Sequence, residues 1–370
     1  MGNELKIFIK CTALSFFIST ATVNAQILKD TSTLNLIKKG VDSIYNMQFK
    51  YSEEVYSKIN KLYPEHPLIL LYKGTMTYWE NYPLLPSSPA SVPFEEELHK
   101  CIALSEKNSS PSNEAEYLLA NLCARGLLIQ YYANNGLDKD VFPLATTTYR
   151  FIKRSFDFTS IYSDFFCFTG LYNYYREVYP EAHPAYKPLL FLFRKGNRAK
   201  GLNELQTAAN GSILLKAEAF SDLAYIYINY ENNYQAATNF SKYLHNLYPY
   251  NPEYLAEYIK NLLLVKSYVE AEKLIISSGS HEGNPYYQAQ LNIFEGIIQE
   301  KKYRDNKLAQ QYYNKGVRDI NLFGAYGNEF AAYAYFGLGR ISEISGDKES
   351  RKIYHKQAMR LADSKKITFD

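Results

Sequence analysis

Side chains that could bind a metal ion are present in this sequence, but they are dispersed. The histidines are His66, His99, His183, His245, His281 and His355. No two are three to five residues apart, so the helical spacing by which two imidazoles share a zinc ion is absent. His66 and His183 lie in predicted turns, where a ring bonded to nearby backbone is the simpler interpretation. We therefore expect no metal site.

Motifs for phosphate binding and nucleophilic catalysis are missing as well. The sequence has no glycine-rich phosphate loop and no Gly-x-Ser-x-Gly elbow. Gly337-Leu338-Gly339 lacks the third glycine and the preceding strand of a dinucleotide-binding turn. The acidic runs Glu53-Glu54 and Glu95-Glu96-Glu97 lie early in predicted helices, where they complement the helix dipole and face water. We expect no cofactor and no catalytic activity.

One enzymatic alternative stays open. A lyase built on helical hairpins would bring tyrosine, histidine and arginine side chains together in the cleft of a toroid. The local candidates for these roles are Tyr174, Tyr175, Arg176 and His183. That reading requires the four side chains to converge on one pocket, which a structure can test.

Composition favours a folded protein without a nucleic-acid partner. The chain has 370 residues, 46% hydrophobic and 21% charged, which suffices for one large or two ordinary globular domains. The net charge of +3 gives no footprint for a polyanion. The 36 tyrosines supply side chains whose rings can be buried while their hydroxyl groups stay hydrated, which suits helix packing or a binding groove.

Residues 1–25 resemble a secretory signal. Lys6 and Lys10 precede an apolar run from Cys11 to Ile18, and Ala25 provides a small residue for cleavage. The run is too short to span a bilayer, which takes about 20 apolar residues. We expect an exported protein of the periplasm or cell envelope, with secretion as an alternative. We expect no transmembrane segment after signal removal, and peripheral association with the envelope stays open.

The cysteines do not form a framework. After residues 1–25 are removed, Cys101, Cys123 and Cys167 remain, an odd number with wide spacing. Small buried thiols are the expected state, and a bond between Cys101 and Cys123 stays open if their helices are neighbours.

A repeated helical pattern is clearest in the C-terminal half. From Ala217 to Pro249 the order is Leu223-Ala224, Tyr227, Ala236, Phe240 and the closing proline. A small residue on the second helix of a pair allows close approach, and a large residue four positions later fills the adjacent gap. Taking that small residue as a marker, Gly201, Ala236 and Ala271 are each 35 residues apart, and Ala309 follows 38 residues later. A looser copy covers Glu329 to Ala362.

The N-terminal half follows the pattern less regularly. Gly40 and Gly74 are 34 residues apart, with Ser52, Tyr56 and Pro64 between them. The segment Asn81–Pro93 contains four prolines and predicts an extended insert, a loop on a stack of helices. Helices are predicted over Phe94–Lys107 and Glu114–Tyr132, and an aromatic helix covered on both sides is predicted over Phe156–Tyr179. Turns are predicted at three proline pairs, Pro64/Pro67, Pro180/Pro184 and Pro249/Pro252.

With these repeats the chain resembles the tetratricopeptide-repeat (TPR) superfamily, from Gly201 to Pro285 above all. The resemblance implies an all-α, right-handed α-solenoid of antiparallel helix pairs whose concave face binds a protein or an extended peptide. Inward positions would include Ser221, Ala256 and Phe336, and the candidate partner-binding residues are Tyr225, Asn229, Lys260 and Arg340. The Lys and Asn clamp by which some members hold a C-terminal carboxylate is not reproduced.

These observations divide the chain into a signal peptide (1–25), divergent helical repeats with the insert at 81–93 (26–200), TPR-like repeats (201–362) and a polar tail (363–370). The predicted function is a non-catalytic, protein- or peptide-binding scaffold of the bacterial cell envelope. An exported module that binds glycans or nutrients is the first alternative, because tyrosine-lined grooves also suit sugar rings. The helical-toroid lyase is the second.

Overall fold

The structure is a computed structural model that describes residues 26–182, 184, 187, 193–277, 283–362 and 367–370. The predicted signal peptide lies outside these residues, as do His183 and His281.

Within the described ranges the fold is all-α, as predicted, and contains no β-strand. The α-helices are α1 (Thr31–Tyr45), α2 (Phe49–Leu62), α3 (Pro67–Glu80), α4 (Ser91–Lys107), α5 (Glu114–Asn134), α6 (Asp138–Ser155), α7 (Phe165–Ala182), α8 (Arg198–Gly211), α9 (Lys216–Asn229), α10 (Tyr234–Leu247), α11 (Pro252–Leu264), α12 (Tyr268–Ser277), α13 (Pro285–Ile298), α14 (Asn306–Ile320), α15 (Asn328–Ile344) and α16 (Lys348–Leu361). A short 3-10 segment, Ile27–Lys29, precedes α1, a π turn follows α13, and a 3-10 segment, Asn321–Gly327, precedes α15. None of the described helices is both long and apolar enough to cross a membrane.

Helices adjacent in sequence pack in pairs, and the proline turns separate several of the pairs. Pro67 and Pro252 each occupy the first helical position, where a missing N–H costs nothing. Asn251 caps α11 by accepting the backbone N–H groups of Glu253 and Tyr254, and His66 caps α3 through Nδ1, which accepts the N–H of Leu68. Two of the three predicted turns are therefore confirmed.

The third predicted turn does not begin at Pro180. Helix α7 continues through Pro180 to Ala182, and the predicted aromatic helix starts late, at Phe165, after a series of turns from Phe156. Pro180 lies in the last turn of α7, so the one backbone hydrogen bond that its missing N–H removes is near the end of the helix. Similarly, α4 begins at Ser91, inside the predicted insert, because Pro93 is tolerated within a first helical turn.

The small residues of the second helices are buried against the first helices, with one correction. Gly201, Ala271 and Ala309 are buried as predicted, but Ala236 is partly exposed and its neighbour Ala237 is the fully buried residue of α10. Each buried residue is the fourth of its helix, and α10 begins one residue later than the strict period requires. The close approach is real, since a Cβ on Gly201 would clash with the backbone of Gly170 and Tyr174.

The stack of helix pairs curls, so that α1 meets the turn between α10 and α11. The Tyr248 hydroxyl donates to Asp42 of α1 at 2.9 Å, and Asn251 Nδ2 donates to the carbonyl of Tyr45 at 2.8 Å. The insert takes part in this closure, because the ring of Tyr82 lies 6.1 Å from Tyr286 and 5.7 Å from Tyr326.

The insert and the C-terminal tail are more buried than the sequence predicted. Leu84 of the insert is fully buried, and its carbonyl accepts a hydrogen bond from Asn135 at 3.1 Å. In the tail, Ile367 and Phe369 are buried, and the Phe369 ring packs edge-on against Tyr333 of α15. The insert is thus a packed part of the fold rather than a surface loop.

Candidate functional site

A cavity of about 720 Å³ lies on the inner side of the curled stack. The first helices of successive pairs provide most of its wall. One lining residue from each is Tyr45 (α1), Trp79 (α3), Gln130 (α5), Phe168 (α7), Tyr225 (α9), Glu257 (α11), Tyr286 (α13) and Glu329 (α15). Its volume falls within the range of about 300–1,000 Å³ that is typical of ligand sites.

Two pairs of carboxyl groups project into the cavity from neighbouring first helices. Glu218 and Asp222 are four residues apart on α9, and Glu253 and Glu257 are four residues apart on α11. Four-residue spacing places both members of a pair on one helix face. The second pair follows the first by 35 residues, so the two occupy equivalent positions in successive repeats.

The α9 pair has few polar partners. Glu218 accepts a hydrogen bond from the Tyr45 hydroxyl, and Asp222 accepts a weak one from the Cys167 thiol at 3.9 Å. Both carboxyls reach the cavity surface but are enclosed by protein on the other sides. Burial therefore raises the pKa of Glu218 and of Asp222 to about 7, against which these two hydrogen bonds act only weakly.

The α11 pair is divided between two environments. Glu253 accepts a hydrogen bond from Gln290 Nε2 at 3.0 Å, and burial, followed by the charge of Glu257, raises its pKa to about 7. Glu257 instead pairs with Lys260 Nζ at 2.7 Å, and Glu329 lies 4.0 Å from the same nitrogen. Burial alone would lower the pKa of Lys260, but Glu257 and Glu329 outweigh it and raise the pKa. Lys260 is therefore a buried, ionised lysine.

Aromatic rings form the wall between the two acidic pairs. Trp79 lies 5.8 Å from Tyr45, 5.4 Å from Tyr254 and 5.1 Å from Tyr82, measured between ring centroids. The Tyr45 hydroxyl donates to Glu218, and Tyr254 and Glu253 both line the cavity. The arrangement combines an apolar surface with negative charge.

The residues predicted to bind a partner lie in different places. Tyr225 and Lys260 line the cavity, Tyr225 with an exposed ring and Lys260 buried between carboxylates. Asn229 lies one helical turn beyond Tyr225, donates to its carbonyl at 3.1 Å and is not part of the lining. Arg340 is also outside the lining, where its guanidinium pairs with Glu300 and donates to the carbonyl of Thr368.

The inward positions named with them are similarly divided. Ser221 lines the cavity, whereas Ala256 is fully buried and Phe336 packs beside His355. The acidic pairs of α9 and α11 are not among the residues predicted from the sequence. Their signal was available in the four-residue spacing repeated after 35 residues.

The candidates for a lyase do not gather in this cavity. The Tyr174 hydroxyl donates to Glu231 at 2.5 Å, and Tyr175 packs against Tyr230 with centroids 5.5 Å apart. Neither they nor Arg176 belong to the lining, and His183 is outside the described residues. In the part of the chain that the structure describes, no group of three or more His, Cys, Asp or Glu side chains is placed to hold a metal ion.

The cysteines that the sequence left open are all free thiols. Cys101, Cys123 and Cys167 are buried and unpaired by disulfides, and burial raises the pKa of each thiol. Cys123 and Cys167 contribute to the cavity wall in the protonated, apolar form.

Neither a protein-family model nor a curated protein matches this chain.

Proposed function

We propose that this chain is a non-catalytic binding protein, a scaffold or adaptor that takes an extended segment of a protein or peptide into its central cavity. The observation that carries the proposal is the cavity itself, which successive first helices line on one side of the stack. A right-handed solenoid of the TPR type, exported to the cell envelope, is the architecture and location that we propose with it.

The dimensions of the cavity favour a short segment over a whole folded domain. The space is about 720 Å³, and Trp79 of α3 and Tyr82 of the insert are both part of its lining. A few residues of extended chain would fill it, with the exposed ring of Tyr225 at its surface.

Photocrosslinking with matched positions tests the proposal. A photoreactive phenylalanine replaces either Tyr225, in the cavity wall, or Tyr243 on α10, which is also exposed but lies outside the lining. The full chain is then irradiated with a library of biotinylated peptides. We expect crosslinked peptides from position 225 and few from position 243. Equal yields at the two positions would show that peptides do not enter the cavity.

An exported glycan-binding module is a second candidate, supported by the ring faces of Trp79, Tyr254 and Tyr286 along the wall. A ligand that binds the native state raises the melting temperature by mass action. A thermal-shift screen with neutral oligosaccharides therefore separates the candidates. A dose-dependent increase that a Trp79→Ala variant abolishes would favour the glycan, and no increase with any oligosaccharide would exclude it.

A further inference from the structure

We propose that the cavity selects an organic cation, the ammonium or guanidinium group of a basic side chain on the bound peptide. This inference rests on the proposed function and names the chemistry of its ligand. It follows from the charge balance of the cavity, from the carboxylates that lack a salt-bridge partner in the described chain, and from the aromatic rings of the lining.

Charge in the cavity is unbalanced. Five carboxyl groups belong to the lining, those of Glu218, Asp222, Glu253, Glu257 and Glu329. Lys260 is the one cation in the described lining, and it is already held by Glu257 and Glu329. No lysine or arginine of the described chain lies within salt-bridge distance of the other three carboxyls. When all five carboxyls are ionised, five negative charges against one positive charge leave an excess of four negative charges in the described lining.

The two acidic pairs destabilise the helices that carry them. Carboxylates four residues apart on a helix repel one another, and both α9 and α11 carry such a pair. Lys260 relieves the repulsion on α11, where it pairs directly with Glu257. On α9 nothing does, and Glu218 Oε2 has less than 1 Å² of accessible surface and no hydrogen-bond donor. A buried acceptor without a donor is unfavourable, and a cation bound beside this pair would offset that cost electrostatically.

The rings suit the same ligand. A cation gains from the face of an aromatic ring, most from tryptophan, and Trp79 lies among Tyr45, Tyr82 and Tyr254 at the centre of the wall. An anionic ligand would meet repulsion from the carboxylates. A neutral ligand could use the rings but would leave the acids uncompensated. A basic side chain, with an apolar stem and a charged end, satisfies both parts of the wall.

Three blocked pentapeptides that differ in one side chain test this selection. The central residue is lysine, norleucine or glutamate between glycines and serines, and binding to the full chain is measured by calorimetry at about pH 8. Norleucine keeps the length of the lysine stem and lacks its charge. We expect the lysine peptide to bind about tenfold or more tightly than the norleucine peptide, and the glutamate peptide not to bind. Equal affinities for all three would overturn the cation inference and leave peptide binding intact.

Two variants and a free amine complete the experiment. Asp222→Asn and Glu253→Gln should each reduce the preference for lysine about tenfold, while Glu343→Gln, an exposed acid on α15, should not change it. Retention of the full preference in both cavity variants would overturn the assignment of the site, and the wild-type comparison stands even if a variant fails to fold. Binding of n-butylammonium but of no peptide would support the cation and remove the proposed peptide function. Binding of no probe at all would overturn both.

Discussion

Replacing Glu253 by glutamine should stabilise the protein at high pH and not at low pH. Burial raises the pKa of Glu253 to about 7 from its ordinary 4.5, so the folded state holds this proton more tightly than the unfolded state. The associated stability is complete below about pH 4.5 and is lost as the pH rises through about 7. Glutamine has nearly the same shape and never ionises, so it avoids that loss.

The expected size of the effect follows from the same two values. A difference from 4.5 to about 7, at about 1.36 kcal/mol for each pH unit, gives an upper bound of about 3 kcal/mol. Because Glu253 is partly exposed to the cavity, screening by solvent reduces this to about 1–2 kcal/mol. The variant should therefore be more stable than the wild type by about this amount at pH 8.

Urea unfolding at about pH 5 and pH 8, followed by circular dichroism, measures the effect. Glu343→Gln is the matched control, because Glu343 is exposed and pairs only with Arg351 on the surface. The reasoning would be refuted by a Glu253→Gln midpoint that equals the wild type at pH 8, or by an equal gain at both pH values. A stabilised variant that also loses the lysine peptide would show that the acid is kept for binding at a cost in stability.

Four further substitutions test the packing. Gly337→Ala on α15 places a Cβ against the Tyr313 ring and should destabilise by about 1–3 kcal/mol in urea unfolding, whereas Gly126→Ala on α5, where a Cβ meets nothing within 4 Å, should stabilise by about 0.5–1 kcal/mol. Asp164→Ala removes the acceptor of the backbone N–H groups of Ile213, Leu214 and Leu215. By the same assay, the free energy of unfolding should fall by about 3 kcal/mol or more, and a fall of less than about 1 kcal/mol would contradict this expectation. Tyr82→Ala should cost about 3–5 kcal/mol and accelerate hydrogen exchange in α13; unchanged exchange there would mean that the insert does not support that helix.

Local signals in the sequence predicted local structure well. Pro67 and Pro252 mark helix starts because a proline at the first helical position and a capping residue before it act within a few residues. The choice between Ala236 and Ala237 went wrong because it depends on where α10 begins. That start follows Asn232, which has a positive φ of 51°, and Asn233, which caps the helix. Two adjacent alanines give no way to see this one-residue shift.

Features that depend on distant contacts could not be predicted. The turns before α7 place Asp164 beneath the backbone of Ile213 to Leu215, and the aromatic composition of the segment indicated only a buried helix. The spacing of Glu218 and Asp222 was visible, but their enclosure depends on contacts between α9 and α1. Arg340 was expected to face inward, and Glu300 and the tail hold it elsewhere.

The closure of the stack also determines how the protein unfolds. In an open array of repeats each unit contacts only its neighbours, so stability is a sum of local terms and the ends can fray independently. Here Tyr45 reaches Glu218 across 173 positions of sequence, and Tyr78 reaches Tyr326 across 248. Opening the segment from α1 to α3 therefore breaks contacts with α9 and with the segment before α15 at the same time. We expect one cooperative transition in place of stepwise fraying, and slow folding, because these contacts close long loops.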